Sequence, residues 1–546
     1  MEAIGKRREP RHPLPSPSKY ALLLVALLVC GGFALTIGTA DRFPGADGPH
    51  MLGQAMRLGG MLRAGELVEV GQEMFALSAP HPPFGYLPLV GLAALGLPLR
   101  GIIAGADLFW LLLILHGSVL LCSRKGEPDL QAGALATLAG VSAGLTWWSA
   151  DHHGFDLPTA AVVLQSLGWL HASEGLTVRR ASVCFGFWLA CAFLTKYSAP
   201  LVLFLPVLVG CAPALWRQPR NLGLAALVWA GVAGIWLAAN RRSVVDYVVS
   251  ALDPPTAPGN FPEQLTLIQR FAGDGQGMFF AVLKDAMGWP VLALLLLGAV
   301  AARRKLPLLG LISGLLFLGA MNSREGRYAL PLVILMAVAG APAARWGWQP
   351  AVMLLAVLAP GLRGAFIAYR DTDASEAPAR RPLDHPIATL RTLAPWPFPA
   401  PAFSPISEHP EPWACAEVLE EALPRLGEHR VLGMLLNTLP EAPSSSVYQL
   451  VAEQMGLKLD ILTIHAMISP QGLMSNSYRG PLAVVEDAPP PSPGELRREP
   501  SGVTVVYVVT HPSSAAGTRW LAETPHTVLS RRSLPDGHSG VLVQKL

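Results

Sequence analysis

The chain has 546 residues, of which 51% are apolar and 14% are charged, and its mean hydropathy is +0.40. A soluble protein usually carries about a quarter charged residues, so this composition excludes an ordinary soluble globular protein. The 41 basic and 38 acidic residues leave a net charge of +3. The sequence has no basic face or stripe of the kind that binds nucleic acid, so we expect no nucleic-acid partner.

Apolar runs separated by short polar loops fill the chain from Tyr20 to residue 369, after a basic tail over residues 1–19. A helix needs about 20 mostly apolar residues to cross the hydrocarbon core of a bilayer. The runs therefore predict an α-helical polytopic membrane protein with about eleven transmembrane helices. The predicted spans are 20–39, 102–122, 130–149, 158–172, 181–195, 199–215, 222–238, 290–302, 306–321, 328–343 and 349–368.

Basic residues in every second short loop indicate the orientation, because cytoplasmic loops carry an excess of Lys and Arg. These loops are 123–125, 179–180, 217–220, 303–305 and Arg345. With the N-terminal tail in the cytoplasm, the pattern is consistent if the proline-rich stretch 82–98 lies at the outer interface without crossing. Two long loops, 40–101 and 239–289, are then external, and so is the C-terminal domain.

Residues 51–67, within the first external loop, have apolar side chains roughly on one face. This periodicity predicts an amphipathic helix. Such a helix lies in the membrane plane, packs on the protein surface, or does both, and the sequence leaves this open.

The composition after residue 369 is that of a soluble domain. A proline-rich linker, 370–412, precedes an α/β domain over 413–546. Strands are predicted at 431–436, 460–464, 503–509 and 540–544, and a helix at 446–455. Cys415 is the single cysteine of this domain, so no disulfide is expected within it.

Acidic and histidine side chains cluster in the external loop 40–101 and in the short external loop 151–156. Ionisable residues near the bilayer are costly and are therefore functional candidates. The candidates are Asp41, Asp47, His50, His81, His152, His153 and Asp156. A carboxylate here can accept a proton from an acceptor group or hold a divalent cation. The alternative for Asp47 and Asp156 is helix capping.

Cationic residues are also predicted on the external side of the membrane. Lys196 follows an apolar run, and Arg324, Arg327 and Tyr328 precede the span 328–343. Arginine suits bidentate phosphate recognition, and a lysine at the interface can pair with an anionic headgroup. A lysine that only snorkels to the interface is the alternative for Lys196.

The order of several short motifs resembles the GT-C fold glycosyltransferases, within the superfamily of protein O-mannosyltransferases and lipid A aminoarabinose transferases (glycosyltransferase families 39 and 83). The resemblance covers about residues 20–370. Its motifs are His81-Pro82-Pro83-Phe84-Gly85-Tyr86, Asp156-Leu157-Pro158, a loose segment from Gly186 to Lys196, and Arg327-Tyr328-Ala329-Leu330-Pro331. His50 and His81 stand where relatives carry tyrosine and lysine.

The resemblance implies an inverting transferase that takes a sugar from a polyprenyl-phosphate donor and passes it to a lipid, glycan or protein acceptor. It implies that Asp47 is the general base on the acceptor or orients the acceptor, and that Asp156 holds the sugar or, with Asp47, a Mg²⁺ or Mn²⁺ ion. Lys196 and Arg327, with Arg324 and Tyr328, would bind the lipid phosphate. The short chain and the lack of organelle signals lead us to expect a bacterial inner membrane, and the orientation given above then places the C-terminal domain in the periplasm.

Two other classes of protein remain open. A transporter or flippase of a lipid-linked substrate would place its charges near the membrane midplane and show internal repeats. A non-catalytic scaffold would keep the fold and lose its acids, and Asp47 lacks the second acid that relatives carry beside it.

Overall fold

A computed structural model describes most of the helical region and the core of the C-terminal domain. The described residues are 17–39, 48–76, 82–123, 127–143, 145–146, 149, 155–245, 283, 286–287, 289–302, 305–320, 326–342, 414–426, 431–435, 445–457, 459–469, 472–477, 503–510, 520–522, 524–534 and 539–545.

Fifteen helices make up the described part of the chain up to residue 342. They are α1 (Pro17–Thr39), α2 (Gly48–Ala64), α3 (Leu67–Ala76), α4 (Leu87–Ala94), α5 (Leu99–Cys122), α6 (Leu130–Val141), α7 (Asp156–Ala172), α8 (Arg179–Phe193), α9 (Ser198–Cys211), α10 (Ala214–Arg217), α11 (Pro219–Trp229), α12 (Ile235–Ala239), α13 (Trp289–Ala302), α14 (Lys305–Ala320) and α15 (Leu330–Gly340). A π-turn, Ala230–Gly234, joins α11 to α12, and 3-10 turns at Pro83–Tyr86 and Gly326–Ala329 precede α4 and α15.

Each predicted span between residues 20 and 343 overlaps one of these helices, except that 222–238 covers α11, the π-turn and α12, which together form one helical segment, Pro219–Ala239. The span 349–368 lies outside the described residues. Two helices, Leu99–Cys122 and Pro219–Ala239, are by themselves long and apolar enough to cross a membrane; the other apolar helices of the described part are shorter. The helical class is therefore as predicted, whereas the number of spans stays a prediction.

Two helices are buried on all sides. In α15 every residue from Leu330 to Gly340 is buried, and α7 is buried over nearly all of its length. A helix that is apolar all round belongs in the interior of a bundle. Gln165 of α7 donates to the Leu113 carbonyl of α5 at 2.7 Å and pairs with His116 at 3.1 Å, which ties the two helices together. The interior position of α7 fixes Asp156, its first residue.

Glycines allow the closest helix crossings. A Cβ at Gly186 of α8 would lie 2.3 Å from the Ala225 carbonyl oxygen of α11. A Cβ at Gly298 of α13 would lie 2.4 Å from the Gly340 carbonyl oxygen of α15. Small residues at such crossings are typical of helix packing in membranes, where backbone approach replaces hydrophobic collapse.

The stretch 82–98 contains a 3-10 turn and one short helix, and its position at the outer interface stays a prediction. Its helix α4 has eight residues, about 12 Å of rise, which is far less than the roughly 30 Å of a hydrocarbon core. Helix α2 lies on α4, where a Cβ at Gly59 would meet Ala93 at 2.4 Å.

The apolar face of α2 is covered by protein, while the orientation of α2 relative to the membrane plane stays a prediction. Its residues Met51, Leu52, Ala55 and Leu58 are fully buried. This face therefore packs against protein, and the amphipathic pattern reflects a packed helix.

The C-terminal domain is α/β, as predicted. Its described elements are α16 (Cys415–Ala422), a 3-10 turn (Leu423–Arg425), β1 (Val431–Leu435), α17 (Ser445–Gln454), β2 (Asp460–Ser469), β3 (Gly472–Ser477), β4 (Val505–Thr510), β5 (His526–Ser533) and β6 (Ser539–Lys545). The sheet order is β3-β2-β1-β4-β6-β5. Strand β1 is parallel to β2 and β4, and the other neighbours are antiparallel. The sequence did not predict α16, β3 or β5.

Helix α17 joins the two parts of the molecule. Its residues Val447, Tyr448 and Val451 are buried in the core of the C-terminal domain, which also contains Cys415. Leu450 belongs instead to the apolar cluster of the helical bundle. A Cβ at Gly53 of α2 would lie 3.8 Å from the Leu450 Cα, so α17 rests directly on α2. The linker 370–412 lies outside the described residues.

Candidate active site

Asp156 is an almost fully buried carboxylate at the first position of α7. Its residue is 2% exposed, and Phe155, the N-cap residue, makes no side-chain capping hydrogen bond. A carboxylate in the first helical turn is favoured by the positive end of the helix dipole. The carboxylate nevertheless bonds to a side chain elsewhere in the chain, so capping does not account for it.

That partner is Lys196. Its Nζ donates to Asp156 Oδ1 at 2.6 Å, and its side chain is 13% exposed. Lys196 lies in the connection between α8 and α9, where the Ala199 amide bonds to its carbonyl at 3.0 Å. A lysine that only snorkels keeps its ammonium in water, whereas this ammonium is directed at a buried carboxylate.

Tyr328 completes the cluster. The Lys196 Nζ lies 4.6 Å from the centroid of the Tyr328 ring, a cation–π contact. Tyr328 is 7% exposed and belongs to the 3-10 turn before α15. Three residues that the sequence analysis selected, Asp156, Lys196 and Tyr328, therefore meet at one end of the bundle, although they come from separate parts of the chain.

The motif His81 to Tyr86 also reaches this cluster. The Phe84 amide donates to the Leu194 carbonyl at 2.8 Å. The Tyr86 ring packs edge-on against Phe155, with centroids 4.9 Å apart and planes at 87°. The segment therefore contacts the residue before Asp156 and a residue two positions before Lys196.

Several predicted site residues lie outside the described residues, and their roles stay predictions. These are Asp41, Asp47, His81, His152, His153 and Arg324. For His50 in α2 and Arg327 in the 3-10 turn before α15, the backbone is described and the side chain is not.

The described residues around Asp156 do not form a metal site. No group of three or more His, Cys, Asp or Glu side chains that could hold a metal ion occurs in the described part of the chain. The ammonium of Lys196 at 2.6 Å already supplies the positive charge next to Asp156. A metal ion held jointly with Asp47 stays a prediction, since Asp47 is outside the described part.

Sequence reasoning passed over two residues. Asp107 of α5 is 3% exposed, and an ionisable residue inside an apolar run was a visible signal for it. Phe155 is 2% exposed and packs on the Tyr86 ring. No feature of the sequence distinguishes Phe155 from any other aromatic residue at a helix start.

Solved structures similar to this chain include two crystal structures of ArnT from Cupriavidus metallidurans. The one bound to undecaprenyl phosphate matches with a TM-score of 0.56 at 15% identity, over 97% of this chain and 98% of that chain. The apo structure matches with a TM-score of 0.55 at 14% identity, over 96% and 97%. No family model and no curated protein matches the sequence significantly.

The likeness extends over nearly the whole of both chains, so the protein has the GT-C fold that ArnT has. ArnT is a lipid A aminoarabinose transferase, and the resemblance inferred from the motifs is thereby confirmed as a likeness of fold. A fold alone does not establish an activity, so the activity must be argued from the cluster of Asp156, Lys196 and Tyr328.

Proposed function

We propose that the protein is a membrane glycosyltransferase that moves a sugar from a polyprenyl-phosphate donor to an acceptor at the external face of the membrane. The observation that carries this proposal is the buried ion pair of Lys196 with Asp156, capped by the Tyr328 ring. It lies at the end of the GT-C bundle where the motif residues meet.

The chemistry asks for positive charge at the leaving group. Transfer breaks the bond between the anomeric carbon and the phosphate oxygen, and forms a bond from that carbon to the acceptor atom. The acceptor loses a proton to a base, for which we propose Asp47. The donor phosphodiester carries one negative charge, and the departing polyprenyl phosphate gains charge. Lys196, with Arg324 and Arg327, therefore stabilises the transition state more than the ground state.

Asp156 has two roles in this proposal. It holds the Lys196 ammonium in a buried position where a phosphate oxygen can become its second partner. Its carboxylate also favours the positive, oxocarbenium-like character that develops at the sugar ring during glycosyl transfer.

The alternatives are less well supported. A transporter needs its charged site near the midplane, whereas Asp156, Lys196 and Tyr328 lie at helix ends and connections. A degenerate scaffold has no need of a buried ion pair, which is costly unless its geometry is good.

We further propose a bacterial inner membrane as the location, with the cluster and the C-terminal domain in the periplasm. The contact of α17 with α2 supports placing that domain beside the first external loop. The acceptor is a lipid, glycan or protein.

The test is sugar transfer by the purified protein in lipid, with a panel of radiolabelled polyprenyl-phosphate sugars. We expect transfer by the wild type, and a fall of about 10²–10³ in rate for Lys196→Met and for Asp156→Asn, the effect of removing one group that stabilises developing charge. Asp47→Asn should also abolish transfer. A wild type that binds a lipid-linked sugar without consuming it would contradict the enzyme and favour the transporter or the scaffold.

A further inference from the structure

Residues 82–86, here called the Pro-Pro turn, contact both chain segments that carry the ion pair. We propose that this turn is a clamp that sets the position of Asp156 relative to Lys196, and that Gly85 and Phe155 are its positioning residues. The inference rests on the proposed function in taking that pair as the phosphate-binding element, and it assigns a physical task to the motif.

The first contact of the clamp leads to Lys196. Pro82 and Pro83 have no amide hydrogen, so the first donor of the turn is the Phe84 amide. It donates to the Leu194 carbonyl at 2.8 Å, at the end of α8, where helical carbonyls lack an intrahelical donor. The Phe84 ring packs edge-on against Trp188 of α8, with centroids 6.2 Å apart. The turn is therefore tied to the end of α8, two residues before Lys196.

The second contact leads to Asp156. The Tyr86 ring meets Phe155 edge-on at 4.9 Å, and Gly85 lies directly beneath the same ring. A Cβ added at Gly85 would be 2.9 Å from three atoms of the Phe155 ring. Phe155 immediately precedes Asp156 and is 2% exposed, so we expect a displaced ring to find little free space and to shift the first turn of α7.

These two contacts bear on the charge geometry because Asp156 and Lys196 come from separate chain segments. Their 2.6 Å contact exists only while the start of α7 and the end of α8 keep a fixed separation. The Pro-Pro turn bridges the two directly. A misplacement of about 1 Å in a reacting constellation can reduce catalysis about a hundredfold.

Gly85→Ala is the sharpest probe of the clamp. Gly85 has an ordinary backbone conformation, outside the set of residues with positive φ. The added methyl group therefore acts only through its overlap with Phe155. Gly91→Ala on α4 is the matched control, because a Cβ at Gly91 meets nothing within 4 Å. Phe155→Leu in the Gly85→Ala background removes the overlapping ring atoms and should restore part of the function, since the ring contact with Tyr86 is lost.

The first measurement needs no ligand. Reductive methylation of Lys196, followed by mass spectrometry, reports how well its ammonium is held by Asp156, and Asp156→Asn supplies the unpaired reference. We expect Gly85→Ala to raise the modification rate of Lys196 about tenfold, as for the loss of one charge-assisted hydrogen bond. Gly91→Ala should match the wild type, and Gly85→Ala/Phe155→Leu should lie between the wild type and Gly85→Ala, because it relieves the overlap and loses the Tyr86–Phe155 ring contact. An unchanged rate in Gly85→Ala overturns the clamp.

The second measurement separates positioning from simple packing. Affinities for undecaprenyl phosphate and for uncharged undecaprenol are compared in the same detergent, alongside thermal unfolding midpoints. Gly85→Ala should weaken binding of the phosphate about tenfold and leave undecaprenol binding unchanged. Equal loss for both lipids would mean a merely structural role and would overturn the proposal.

The two measurements also distinguish this inference from the proposed function. If the wild type binds undecaprenyl phosphate no better than undecaprenol, the proposed function fails. The Lys196 modification rate still decides whether the clamp exists.

Discussion

Lys196 and Asp156 are separated by 40 positions in the chain, yet their charged atoms lie 2.6 Å apart at the start of a buried helix. Removing one partner of a buried pair leaves the other charge without compensation, whereas removing both can be nearly neutral. The stability of the pair can therefore be separated from its function.

Lys196→Met should destabilise the protein by about 3–5 kcal/mol, because it leaves the buried Asp156 carboxylate without a compensating charge. Asp156→Asn/Lys196→Met should recover most of that loss and remain inactive in sugar transfer. Unfolding midpoints in detergent measure the first effect, and the transfer assay measures the second.

The control for this prediction is Arg57→Gln. Arg57 pairs with Glu73 at 2.7 Å, but their side chains are 43% and 34% exposed. Such exposed pairs contribute about 0–1 kcal/mol. An equal loss from Arg57→Gln and Lys196→Met would contradict the burial argument.

Tyr328→Phe should retain binding of polyprenyl phosphate, because the ring that faces Lys196 at 4.6 Å remains. Tyr328→Leu should weaken binding by about 0.5–2 kcal/mol, the range of a cation–π contact. Dissociation constants for undecaprenyl phosphate check both. If Phe and Leu were equally poor, the hydroxyl group would matter more than the ring.

Gly53→Leu should loosen the C-terminal domain from the bundle, because a Cβ at Gly53 already lies 3.8 Å from the Leu450 Cα and a longer side chain has no room. Faster hydrogen exchange of the α17 amides is the expected result. Gly60→Leu on the same helix is the control, since a Cβ there meets nothing within 4 Å. Equal exchange in both variants would refute direct docking of α17 on α2.

The C-terminal domain should lose stability above pH ~10, the ordinary tyrosine pKa. Burial raises the pKa of Tyr448 well above its usual value, and it also raises the pKa of Tyr507. The unfolded chain therefore releases these protons first, so the free energy of unfolding is unaffected below pH ~10 and falls as the pH rises further. The slope is at most about 1.4 kcal/mol per pH unit and tyrosine.

Cys415 provides the measurement, since it is buried in the same core as both tyrosines. The urea concentration that exposes its thiol should fall between pH 10 and 11, and Tyr448→Phe/Tyr507→Phe should remove most of that fall. Tyr20→Phe, at an exposed position on α1, should leave the pH dependence as it is. A fall that persists in the double variant would assign the alkaline instability to other groups.

Much of the fold was visible in the sequence because long apolar runs define helices through composition alone. Strand β4 was also visible, since Val505 to Val509 are β-branched or aromatic throughout. Strand β5 was missed because its Ser530-Arg531-Arg532-Ser533 end carries no apolar alternation. For α2, the pattern gave the apolar face, but only the packing shows that protein, and not lipid, covers it.

The residues of the candidate site could be selected from the sequence, but the contacts between them could not be predicted from it. Asp156, Lys196 and Tyr328 could each be selected as ionisable or aromatic groups on one side of the bundle. Their pairing depends on how α7, α8 and α15 pack. Gly85 packs so closely on the Phe155 ring that an added Cβ would overlap it. The two residues are 70 positions apart, and no local sequence pattern predicts a contact at that separation.

Helix α17 has two buried faces, with Tyr448 turned into the sheet domain and Leu450 into the helical bundle. Cutting the chain between the two parts would uncover an apolar surface on each of them. A separately expressed C-terminal domain would therefore expose the Leu450 face of α17, which α2 covers in the whole protein.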